Sequence, residues 1–129
     1  MLQSIAAVCL GASCGALLRW QLGAALNSAW PGIPLGTLTA NLLGGYLIGV
    51  AASAFASWPA FGAQWGLLLV TGFLGSLTTF SAFSFETASL IQQNQLMAAA
   101  AMIALHVGGS LLMTFAGMAS FNLVLRNFS

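Results

Sequence analysis

Lysine and aspartate are absent from this chain, and two arginines, one glutamate and one histidine are all the strongly ionisable side chains among its 129 residues. That poverty excludes whole classes of function. Without a basic patch there is nothing to hold nucleic acid, so no nucleic-acid partner is expected. Without a charged face no soluble domain would stay dispersed. One acid and one imidazole do not supply the nucleophile, base and orienting acid of an enzyme site, and no phosphate-cradling glycine loop is present. Cys9 and Cys14 lie five residues apart, where a helix turns them to different faces, and they read as small apolar residues rather than a redox or metal pair.

What fills the chain is apolar. Hydrophobic residues make up 60% and charged residues 2%, against roughly 25% charged in soluble domains, and the mean hydropathy is +0.99. Four apolar runs, 4–26, 35–55, 64–91 and 96–125, each meet the roughly 20 residues that a bilayer core demands. The first run lacks a basic leader and a cleavage signature, so it is expected to be a retained span. Its successors are joined by NSAWPGIP, SWPAFGA and QQNQ, short turns rich in Pro, Gly and amides. The expectation is an all-α membrane protein, a single transmembrane domain over residues 1–129 with four transmembrane helices. Trp20, Trp30, Trp58 and Trp65 fall at or near the span ends, where indoles prefer the headgroup region.

Orientation is nearly unbiased. With four spans, Arg126 lies on the side of the termini, and Arg19 on the opposite side if it sits toward its end of the first helix. One arginine against one leaves the positive-inside rule little to act on. A chain that inserts both ways can pair with an inverted copy about an axis in the membrane plane, so an antiparallel, dual-topology homodimer is expected. GASCG in the first helix and GYLIG in the second are small-xxx-small patterns, suited equally to contacts within a subunit or to a dimer seam.

Polar residues recur as faces. At roughly 100° per residue, Thr79, Phe83 and Glu86 line up on the third helix with Phe80 beside them; His106, Ser110 and Thr114 recur every four residues on the fourth. Thr37 and Asn41 share a face of the second with Gly44 and Gly45. Single hydroxyls commonly tie helices together, whereas three coincident stripes point to a permeation path. Glu86 and His106 equally suit a buried acid–imidazole pair. Amides, hydroxyls and the positive edges of Phe80 and Phe83 outnumber the one carboxylate, which leans the path toward a small anion, with Arg19 near one mouth to concentrate it.

The segment GFLGSLTTFSAFSFE, Gly72 to Glu86, is the densest of these. Gly75 to Thr78 reads as a break near the middle of the third helix, whose freed carbonyls a hard cation such as sodium would satisfy, or as a glycine-tolerant helix that stays intact.

Together GASCGALLRW, PLGTLTANLLGGYLIG and GFLGSLTTFSAFSFE, in this order and spacing over nearly the whole chain, resemble the Fluc family of fluoride channels. The resemblance implies a passive, fluoride-selective channel of the bacterial inner membrane, a dual-topology dimer with two antiparallel pores that exports toxic fluoride from the cytoplasm. It places Phe80, Phe83 and Asn41 on the fluoride path, with Ser110 and Glu86 on its polar track and Arg19 at the vestibule; Thr79, His106 and Thr114 of the polar stripes, with Ser81, are further candidates for the same path. The carbonyls of Gly75 and Thr78 would hold a structural Na+ at the dimer interface. Ser76 stands where glycine is usual and Ala82 where many members have threonine, which removes one hydroxyl from the track. A small dual-topology proton-coupled multidrug exporter is the alternative, although such proteins carry their acid in the first helix. A non-transporting membrane assembly factor is a third class.

Overall fold

The computed structural model describes residues 1–127 and shows, among them, four helices long and apolar enough to cross a membrane: Leu2–Leu26, Leu35–Ser57, Ala63–Gln92 and Leu96–Asn127. They are referred to below as the first to fourth helices. Their bounds differ from those expected by two residues or fewer, because the switch from apolar run to Pro, Gly and amide is sharp. Pro34 presets the backbone (φ −69°) for the start of the second helix. Asn27, in the preceding loop, supplies the cap, its Oδ1 accepting from the Gly36 N–H at 2.8 Å and the Thr37 N–H at 3.2 Å. Gln93 and Asn94 turn the chain between the third and fourth helices, with Asn94 in the left-handed region (φ 59°) that an asparagine tolerates.

Two close helix pairs build the fold. The first helix lies against Gly66–Leu74 of the third, and the second helix lies against Ser110–Asn127 of the fourth. Both approaches need glycine. A Cβ on Gly15 would overlap the Phe73 carbonyl, and one on Gly49 would overlap the Thr114 carbonyl, while Gly117 faces the Tyr46 carbonyl in the same way. GASCG and GYLIG therefore serve contacts within the chain. The carboxyl-terminal part of the third helix, Phe80–Gln92, folds back against Leu96–Ile103 and encloses Phe83, Leu90, Ala99 and Met102. A second cluster of Ala40, Leu74 and Leu77 fills the space between the second helix and the first part of the third.

The third helix is interrupted, and the interruption falls slightly later than expected. Gly75 is helical (φ −61°, ψ −28°), as are residues through Leu77. Thr78 (φ −76°, ψ 152°) and Thr79 (φ −146°, ψ 113°) are extended. Adjacent β-branched residues are at home in extended backbone, whereas Gly72 upstream packs closely on Val8 and Gly11 of the first helix and Gly75 stays helical. The helix restarts at Phe80 with Thr79 as its cap, the Ala82 N–H donating to Thr79 Oγ1 at 3.2 Å. Gly66–Leu74 and Ala104–Gly109 are wound in wide turns with i→i+5 hydrogen bonds, a winding frequent beside functional sites.

Candidate functional site

Asn41 holds the interruption from outside. Its Oδ1 accepts from the Thr79 N–H at 2.7 Å, and its Nδ2 donates to the Thr79 carbonyl at 3.1 Å. A side-chain amide on the second helix thus takes both backbone groups of the most extended residue in the third, in the manner of a neighbouring strand. The same Nδ2 lies 3.0 Å from Nδ1 of His106, which brings the fourth helix to this point. Gly44 and Gly45, one turn along, keep the surface low: a Cβ on Gly44 would overlap the Thr78 side chain, and one on Gly45 would lie 2.8 Å from the Ser110 carbonyl.

Arg19 reaches the other side of the break, its Nε donating to the Ser76 carbonyl at 2.9 Å. Leu74 accepts at its carbonyl from both the N–H of Thr78 (3.1 Å) and its hydroxyl (2.9 Å). Two donors that would have closed the helix are diverted. The Thr79 N–H, the i→i+4 partner of the Gly75 carbonyl, goes to Asn41, and the Ala82 N–H, the partner of the Thr78 carbonyl, goes to Thr79 Oγ1.

A depression of about 530 Å³ opens over this region, and its wall includes Asn41, Gly75, Thr78, Thr79 and, farther round, Ser110. Phe80, Phe83 and His106 complete its aromatic side. Phe80 is 77% exposed, Phe83 is 8% exposed, and their rings meet edge to face at 5.5 Å and 64°. Phe83 stacks in turn on His106, with centroids 4.7 Å apart and planes 25° from parallel. Phenyl edges carry partial positive charge; with both N–H bonds of Asn41 given to Thr79 and His106, the phenyl rings and the Ser110 hydroxyl are what this wall can turn to an anion without a formal cation.

The remaining candidates lie elsewhere. Glu86 is next to a second depression of about 520 Å³, whose rim includes Trp30, Phe85 and Gln93. The Thr37 hydroxyl donates to its Oε1 at 2.8 Å, while Oε2 is buried and without a partner among the described residues. Glu86 and His106 are thus engaged with different residues and do not form an acid–imidazole pair. Thr114 directs its hydroxyl at the carbonyls of Gly45 (3.0 Å) and Ser110 (2.9 Å), a tie between the second and fourth helices. Ser81 is exposed and its Oγ lies 3.3 Å from Thr79 Oγ1. Ala82 is half-buried at the cap, where its N–H rather than its side chain makes the contact.

Sequence reasoning placed Thr37 on a polar face but not opposite Glu86, and it missed the reach of Arg19 to Ser76 and the capping by Asn27. These contacts join residues 49, 57 and 9 positions apart, and no periodicity within one helix reports them.

Comparison with known proteins adds an independent line. The family model described as "CrcB-like protein, Camphor Resistance (CrcB)" matches residues 6–118. A protein of Chromobacterium violaceum named fluoride-specific ion channel FluC is 56% identical over 126 residues, covering 98% of this chain and 100% of its own. Proteins with the same name are 56% identical in Pseudomonas putida, over 94% of this chain and 95% of theirs, and 55% identical in Tolumonas auensis, over 98% and 100%.

Proposed function

The chain belongs to the CrcB family, which includes the fluoride-specific ion channel FluC proteins, and from that membership we propose how its own residues conduct the anion. It is a multi-pass protein of the bacterial inner membrane and a fluoride-specific ion channel, not an enzyme. Passive efflux through it would relieve the cytoplasm of the toxic anion. The exporter alternative finds no support: the one acid of the chain, Glu86, lies in the third helix and accepts from Thr37.

Fluoride is a small, strongly hydrated anion, and replacing its water requires several donors presented together. The observation that carries the reading is the convergence of Asn41, Ser110, Phe80 and Phe83 on one depression. Asn41 is held by three contacts that engage both of its N–H bonds and its oxygen, so it fixes the wall before the anion arrives and would donate to fluoride only by releasing one of them. His106, Thr79, Ser81 and Thr114 surround or brace that wall. Glu86 and its depression form the approach on one side, and the guanidinium of Arg19 attracts anions toward the other.

The 77% exposure of Phe80 in a single subunit marks a wall that a second copy would complete. The proposed assembly is an antiparallel homodimer with two pores, favoured by the balance of Arg19 against Arg126. The break fits a hard cation: the carbonyls of Gly75 and Thr78 have lost their helical donors, and both residues line the open depression. Two carbonyls are too few for such an ion, and an equal set from the inverted copy raises the number to a plausible shell. Sodium bound there would neutralise carbonyl dipoles at bilayer depth and join the subunits.

Fluoride release from liposomes, followed with a fluoride electrode, tests the reading. Wild-type protein should release fluoride and retain chloride, and Phe80→Leu and Phe83→Leu should each slow release by about tenfold. Undiminished release from both variants would overturn the ring-lined path.

A further inference from the structure

The orientation of Asn41 determines where His106 carries its proton. The Thr79 N–H can only donate, so the carboxamide atom 2.7 Å from it is the oxygen, and Nδ2 faces both the Thr79 carbonyl and His106 Nδ1. An amide nitrogen can only donate, so Nδ1 of His106 accepts and is bare. The single proton of a neutral ring is then on Nε2.

That N–H is buried without an acceptor. His106 is 4% exposed, and Nε2 has no partner among the described residues. A buried donor left unpaired is costly, and native proteins seldom retain one without a ligand or water to receive it. The side chain belongs to the wall of the same depression as Asn41, Phe83 and Ser110. Its ring lies nearly parallel to that of Phe83, at 4.7 Å and 25°. In stacked rings the N–H and C–H bonds radiate in neighbouring, nearly parallel planes, so the imidazole edge lies beside the positive edge of Phe83 and adds a true hydrogen-bond donor to it.

We infer that His106 is a fluoride donor: a neutral imidazole, protonated on Nε2, that orients Asn41 through Nδ1 and offers its Nε2–H to the anion beside the Phe83 edge. This rests on the channel reading given above and adds to it a tautomer, an atom and a second task for one side chain. The bond to fluoride is charge-assisted, and loss of such a bond corresponds to about ten- to hundredfold in rate or affinity.

The test is nitrogen-15 magnetic resonance of histidine-labelled protein in lipid, paired with fluoride efflux from liposomes. His106, the sole histidine, should show a pyridine-like Nδ1 and a protonated, pyrrole-like Nε2. Added fluoride, but not chloride, should shift the Nε2 proton and couple it to fluorine-19. A proton found on Nδ1, or an Nε2–H unmoved by fluoride in protein that conducts it, overturns the inference. Wild-type protein that folds but releases no fluoride would instead defeat the channel reading. His106→Asn keeps an acceptor near the Nδ1 position and loses the Nε2 donor; its efflux should fall about ten- to hundredfold. His106→Phe keeps the stack and loses both functions, and should fall further. Wild-type efflux from folded His106→Asn overturns the donor role, and the resonance experiment stands alone should either variant fail to fold.

Discussion

Asn41→Leu replaces the carboxamide by an apolar side chain of nearly the same shape and removes every hydrogen bond that Asn41 makes to Thr79 and His106. Three groups then lose partners: the Thr79 N–H, the Thr79 carbonyl and His106 Nδ1. At about 1–3 kcal/mol for each buried group left unpaired, the first-order loss is roughly 3–9 kcal/mol. One contact can be recovered, because the released Thr79 N–H is free to close on the Gly75 carbonyl and continue the helix. That relaxation brings the loss to roughly 2–6 kcal/mol, and it changes the structure: the break shortens from its amino-terminal side and the Gly75 carbonyl is withdrawn. The expected outcome is a folded but less stable protein in which fluoride efflux falls by at least about tenfold and thermal unfolding in detergent occurs earlier. Amide exchange at Thr79 distinguishes relaxation from simple loss, since a helical N–H bonded to Gly75 remains protected whereas an orphaned one does not. An Asn41→Leu protein with wild-type efflux and an unchanged unfolding midpoint would refute the reasoning, because the carboxamide would then be neither clamp nor ligand.

Arg19→Lys keeps the charge but loses the planar Nε–H that reaches Ser76 at 2.9 Å; it should cost about 1.5–3 kcal/mol, measured by thermal unfolding, and an unchanged midpoint would show the contact to be incidental. Gly15→Ala should abolish the folded, monodisperse species in gel filtration, since its Cβ would meet the Phe73 carbonyl, whereas Gly66→Ala, with nothing within 4 Å, should be neutral; equal behaviour of the two would contradict the packing. For orientation, a single cysteine introduced as Gln93→Cys into a Cys9→Ala, Cys14→Ala background should react to about one half with an impermeant reagent applied from outside sealed vesicles, as equal insertion in both directions requires. Complete or absent labelling would exclude dual topology.

The four spans were legible because bilayer burial needs a long apolar run and nothing else in the chain competes with it. The glycine motifs were legible as packing signals but not as to partner: the same spacing suits any close helix, and only the fold shows that Gly15 meets Phe73 and Gly49 meets Thr114. Periodicity on the third helix grouped Thr79 with Phe83 and Glu86 by assuming one continuous helix. The grouping of Thr79 with Phe83 survives in the depression they share. Glu86, three residues farther on, opens instead to a separate depression, because less than one turn of helix is enough to carry a side chain past the end of a cavity. The break was legible as a region rather than as residues. Composition drew attention to the glycines, whereas extended backbone fell to the threonines, whose N–H and hydroxyl groups had other partners available.

Those partners explain why so unusual a segment can persist inside a bilayer, where an unsatisfied peptide group is expensive. Nothing in Gly72 to Thr79 alone compels the helix to open; left to itself, the Thr79 N–H would close on the Gly75 carbonyl. Asn41 intercepts that N–H from the second helix, and Thr79 Oγ1 intercepts the N–H of Ala82. Each interception satisfies a donor and releases a carbonyl, so the carbonyls assigned to sodium in the proposed dimer exist because two side chains have displaced them from their helical partners. Asn41 also touches His106, whose ring stacks on Phe83. The proposed cation site and the proposed anion path therefore share one carboxamide, and a change at either should be felt at the other through Thr79. Removal of sodium should accordingly perturb the His106 nitrogen resonances even in the absence of fluoride, whereas two independently built sites would leave them unmoved.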